Sequence, residues 1–143
     1  MRTTHLLLIA VVFTFLLNST QNCSSVKIAK SPRLSFTSIS FGKSGGFSNQ
    51  VEKYIIRNNG TVSNLSNESE NVLNEIGETE LLNLESDLNR INYYDLQLNE
   101  VGNMTYFIVI EKDDITKRVS WTDATDSTEI KEFYKTLISY LKK

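Results

Sequence analysis

The sequence predicts an α+β fold: an antiparallel sheet of about five strands, in the order βββαββα, with two amphipathic helices packed on one face. Three observations carry this. Ile130, Phe133, Tyr134, Leu137, Ile138 and Leu141 recur at helical spacing near the C-terminus, and Leu81, Leu84, Leu88 and Ile91 do so in the middle. Before and between these periods lie short runs rich in β-branched and aromatic residues. Two turn signals, Asn59-Gly60 and Asp113-Asp114, divide those runs into hairpins.

A first strand takes Leu34, Phe36, Ile39 and Phe41, with an irregularity between Phe36 and Ile39 where the strict alternation slips. Gly42, Lys43, Ser44, Gly45 and Gly46 then form a glycine-rich turn that needs positive φ at one or more glycines, with Phe41 and Phe47 packing at either side. A second strand runs from Gln50 to Asn58, and Asn59-Gly60 leads into a third from Thr61 to Leu65. Ser63 to Gly77 is rich in Asn, Ser and Glu and reads as an exposed loop with at most one short turn. The middle helix follows, with Glu78 and Glu80 toward its positive end. After a loop from Asp95 to Asn103, Met104–Ile110 is apolar on both parities, which places this strand inside the sheet. Asp113-Asp114 turns it into Ile115–Trp121, and the last helix is announced by Asp126 and Glu129 at capping-box spacing.

Ahead of this domain, expected at residues 33–143, the chain reads as an address. Residues 1–22 have the parts of an export signal: a basic start at Arg2, an apolar run from Leu6 to Leu17, and a polar stretch from Asn18. That run is shorter than the roughly 20 residues that a spanning helix needs. Cys23 stands just past it, where bacterial lipoproteins carry the cysteine that is acylated, so the stretch resembles a lipoprotein signal. Thr20, Gln21 and Asn22 depart from the usual pattern, which has Leu at the third position before the cysteine and a small residue just before it. The resemblance implies a protein lipid-anchored through Cys23 to the bacterial envelope, at the outer membrane, with residues 23–32 as a polar tether. The alternative is a periplasmic or secreted protein with a stray thiol.

Charge and inventory narrow the chemistry. Removing Arg2 with the leader leaves fourteen basic against seventeen acidic residues and no basic stripe interleaved with aromatics, which argues against a nucleic-acid partner. The one histidine, His5, falls in the leader, and acylation would consume the one cysteine. Ser/His/Asp and Cys/His nucleophilic systems, and zinc sites built from His or Cys, are then excluded. No cofactor or metal is expected, and the expected class is a non-enzymatic binding or inhibitor-type domain. A carboxylate-dependent glycan hydrolase is one alternative, although no spacing singles out an acid pair. A purely structural envelope component is another. The run Phe41–Phe47 contains a Gly-Lys-Ser, but Thr37 stands where a phosphate-binding loop needs its first glycine, and a strand follows where a helix should. Its amides form at most a small anion nest beside Lys43.

Two motifs, FGKSGGFSN at Phe41–Asn49 and NEVGNMTYFIVIEK at Asn99–Lys112, precede the VSWTD of Val119–Asp123. Together they resemble a group of small exported or lipid-anchored proteins of Bacteroidetes-type bacteria that carry FGxGGGFTxxV, PGNxxYF and a tryptophan strand ending in WGD. Lys43-Ser44, Ser48, Val101 and Thr122 depart from that pattern; Phe41, Gly42, Gly45, Gly46, Phe47, Gly102, Asn103, Tyr106, Phe107 and Trp121 match it. The resemblance implies location and fold rather than a reaction. Phe41, Gly42, Lys43, Gly45, Gly46, Phe47, Gly102 and Asn103 are the candidate ligand loop, with both glycine turns at one end of the sheet and an envelope protein, peptide or glycan as partner. The alternative is that these residues set turns and fill the core.

Overall fold

The computed structural model describes residues 33–47, 50–66 and 69–142. The expected leader at 1–22, Cys23 and the tether at 23–32 lie outside them, as do Ser48 and Asn49. The described elements are β1 (Ser38–Gly45), β2 (Gln50–Arg57), β3 (Thr61–Ser66), β4 (Ser69–Glu75), α1 (Glu78–Arg90), β5 (Met104–Lys112), β6 (Ile115–Thr122) and α2 (Thr128–Ser139). The class is α+β: all six strands join one sheet in the order β4-β3-β2-β1-β5-β6, and every neighbouring pair is antiparallel.

One parity of β1 selects the core. Successive side chains of a strand point to opposite faces, so Ile39 and Phe41 share one face while Ser38, Ser40 and Gly42 take the other. Register extends the choice sideways. Ile56 and Tyr54 of β2 stand opposite Ile39 and Phe41, and Ile110 and Ile108 of β5 flank them on the other side. Val62 adds to the row through Ile56, and Val119 and Trp121 through Ile108 and Tyr106. Leu81, Leu84 and Leu88 of α1 and Ile130, Phe133 and Leu137 of α2 are buried in the same apolar cluster as these residues. Tyr134 of α2 meets Phe41, Tyr106 and Trp121 edge-on at centroid distances of 6.2, 5.6 and 5.5 Å, arrangements that ring quadrupoles favour. Met104–Lys112 lies between β1 and β6, inside the sheet as its two-sided apolar pattern requires.

Three expectations need correction. Ser69–Glu75 is a fourth strand rather than part of a loop. It is an edge strand whose apolar residues Val72 and Leu73 are both exposed, so no buried face imprinted a period on its sequence. Backbone pairing to β3 holds it, helped by Asn74, whose amide donates to the Tyr140 carbonyl. Second, β1 runs on through Gly42 and Lys43 to Gly45, so the glycine turn begins at Gly46, four residues later than the composition implied. Third, no capping box forms at α2. The helix is capped at Ser127, which moves Glu129 to the second helical position instead of the third. The Lys131 ammonium ties this entry down instead, donating to the carbonyls of Asp123 and Thr125.

Candidate functional site

The sheet's two ends differ in kind. At one end the described chain enters at Arg33 and reaches β1. At the other, eight residues and about 23 Å away by strand rise, the β1–β2 hairpin tip meets the segment preceding β5. Gly45 and Gly46 adopt φ of 106° and 74°, which residues with a Cβ avoid. The backbone then passes so close to its neighbour that the Gly46 amide donates to the Asn103 carbonyl at 2.6 Å. A Cβ on Gly45 would lie 2.2 Å from that same oxygen. Gly102 is packed for a similar reason: its amide donates to the Thr105 hydroxyl, and a Cβ on it would lie 2.9 Å from the Thr122 methyl. The two glycine turns singled out by the sequence therefore do converge at one end of the sheet.

Within the candidate set, roles divide sharply. Phe41 does not flank a loop: it is fully buried, 5.7 Å from the Tyr54 ring. Phe47 is fully exposed and packs on nothing. The expectation of two flanking phenylalanines fails because Phe41 belongs to β1's core-facing parity, whereas Phe47 lies beyond the strand in the turn. Gly42 is a contact of two strands, since a Cβ there would fall 1.9 Å from the Glu52 carbonyl oxygen. Lys43 does not stand over an open anion nest. Its ammonium is 3.2 Å from the Glu52 carboxylate, an exposed pair worth at most about 1 kcal/mol. Tyr106, half-buried against the core, stacks on Trp121 at 5.9 Å, and Phe107 lies under the Arg118 guanidinium at 4.6 Å. What faces solvent at this end is Phe47, Val51 and Val101, three apolar side chains without cover.

Beside the tip the sheet opens. Pairing of β1 with β2 continues to Gly45↔Gln50, and pairing of β3 with β4 continues to Ser66↔Ser69, yet β2 and β3 pair only from Ile56↔Val62 to Tyr54↔Asn64. The two hairpins separate beyond that point and leave a cleft of about 620 Å³ lined by Gln50, Val51, Glu52, Lys53, Asn64, Leu65 and Ser66. None of these lining residues was singled out from sequence. The cleft is a relation between two registers, and no local pattern encodes it.

Chemically the cleft suits binding. Among the described residues that line it, Glu52 is the sole carboxylate, whereas two-carboxylate glycoside hydrolysis needs a pair. Glu70, on β4, is held below the usual carboxylate range by the Arg57 guanidinium, opposite to the shift of a general acid. Burial pushes the Tyr93 and Tyr134 hydroxyls up, and it raises Tyr106 too, with the Asp123 carboxylate adding to the effect, so all three stay neutral. Among the described residues no group of three or more His, Cys, Asp or Glu is placed to hold a metal ion, and no helix is long and apolar enough to cross a membrane. No family model matches the chain, and no curated protein matches it.

Proposed function

We propose that the protein is a non-enzymatic, exported binding domain of the bacterial envelope, lipid-anchored through Cys23, that engages its partner with the hairpin-tip end of the sheet. The carrying observation is the convergence of the two glycine turns, which leaves Phe47, Val51 and Val101 exposed beside a polar-lined cleft. Exposed apolar side chains grouped at one end of a domain are what a recognition surface requires. The reading also puts both helices over the face that carries Ile39 and Phe41, supported by the single cluster their buried residues share. Acyl chains at about 0.8 kcal/mol per buried CH₂ would hold the domain at a membrane without an apolar patch of its own. Metabolic labelling with a fatty-acid probe tests the anchor: label on the wild type and none on Cys23→Ser is expected. An unlabelled wild type would make this a soluble exported protein.

A further inference from the structure

We infer that the cleft beside the hairpin tip is a saccharide-binding site, taking a short neutral oligosaccharide along the Tyr54 side of β2 and β3. This rests on the binding role proposed above and names its ligand. Strand alternation sets the face. Gln50 and Glu52 of β2 share a side with Tyr54, and Asn64 and Ser66 of β3 join them because Asn64 stands opposite Tyr54. The Tyr54 ring is half-buried and lies 5.7 Å from the Phe41 ring. Val51, Lys53 and Leu65 take the other side of the two strands. The cleft volume of about 620 Å³ falls within the ~300–1,000 Å³ of small-ligand sites. Since β2 and β3 pair with each other at Tyr54↔Asn64, a ligand here is held by side chains rather than by ladder groups.

The polar groups on that face are uncommitted. Among the described residues, none hydrogen-bonds the side chains of Gln50, Asn64 or Ser66, or the Tyr54 hydroxyl. Near β6, by contrast, the Ser120, Thr122 and Thr125 hydroxyls all donate to Glu100. Each free amide offers donors and an acceptor, and each free hydroxyl can act either way. The vicinal hydroxyls of a sugar also donate and accept, so they match this set. An anion accepts only, and the amide carbonyls and the Glu52 carboxylate would oppose it. The Lys43 ammonium offsets Glu52 at 3.2 Å, so the face has no net charge to draw an ionic ligand. The Tyr54 ring supplies apolar surface for the C–H faces of a pyranose, the mixture of apolar wall and few placed polar groups that small-ligand sites use.

The test titrates the full chain with maltotriose, cellotriose and tri-N-acetylchitotriose, beside a triglucuronate of like size, and follows the side-chain amides by NMR. The expected result is saturable binding of at least one neutral trisaccharide, with shifts at the Gln50 and Asn64 amides and weaker or no binding of the triglucuronate. Gln50→Ala and Asn64→Ala should each weaken that binding about fivefold, the contribution of one hydrogen bond. Asn89→Ala, which removes an exposed amide on α1, should leave it unchanged. Gln50 is exposed, so its variant keeps the test intact if Asn64→Ala melts. Failure of all three neutral sugars to bind at millimolar concentration, equal or tighter binding of the triglucuronate, or binding that either folded variant leaves unchanged overturns the inference. A protein crosslinked to position 47 while no sugar binds also overturns it and leaves the binding role standing.

Discussion

Replacing Gly42 with alanine is expected to disrupt the hairpin far more than its ordinary strand position implies. The added Cβ would sit 1.9 Å from the Glu52 carbonyl oxygen and 2.9 Å from the carbonyl carbon, both backbone atoms of a paired strand. Relief requires β2 to retreat by more than an ångström just where Lys43 pairs with Glu52. Two ladder bonds at a net ~1 kcal/mol each, with overpacking of about 1 kcal/mol or more, give a loss of about 3 kcal/mol. For a domain of this size that lowers Tm by about 12 °C. Gly45→Ala should cost a similar amount, because it combines φ of 106° with a contact of 2.2 Å to the Asn103 carbonyl oxygen. Gly46→Ala should be milder at about 1–2 kcal/mol. Its φ of 74° is near the left-handed region and its nearest neighbour is the mobile end of the Met104 side chain at 3.2 Å. Urea melts of the three variants read the order directly. Gly42→Ala within 1 kcal/mol of the wild type, or Gly46→Ala as the worst of the three, would refute the close-approach argument and return these glycines to a ligand-binding role.

Tyr93→Phe should destabilise by about 1 kcal/mol, measured by the same melts, because the buried hydroxyl donates to the Ile108 carbonyl at 2.8 Å and that bond is lost. Arg57→Ala should raise the Glu70 carboxyl toward its ordinary range in an NMR titration. Since the folded-state value lies below the unfolded one, the contribution of Glu70 to stability is present above the unfolded pKa of about 4.3 and is lost as pH falls through the folded value. In Arg57→Ala this acid-limb dependence should shrink.

The sequence made the core legible because the core has a period. Ile39 with Phe41, the two-sided run at Met104–Ile110, and the helical spacings at Leu81–Leu88 and Ile130–Leu137 all map onto buried faces. Where burial left no imprint the reading failed. Ser69–Glu75 has two apolar residues, both exposed, so its strand is written in backbone pairing alone. The site was partly legible for a similar reason. Glycines that need positive φ or a close backbone approach are visible in any sequence, and Gly45, Gly46 and Gly102 do bring two turns together. Whether Phe41 or Phe47 faces outward depends on where β1 ends, which composition could not mark. The cleft depends on β2 and β3 parting after Tyr54↔Asn64, a relation between two strands that no local pattern marks.

The binding role rests most directly on Phe47. A photo-crosslinking amino acid placed there in growing cells, beside the same label at exposed Leu82 on α1 and exposed Ile115 at the opposite end of the sheet, reads which surface meets a partner. The expected result is one discrete adduct from position 47, with none from 82 or 115. Adducts from 82 or 115 with none from 47 would contradict a partner-binding tip.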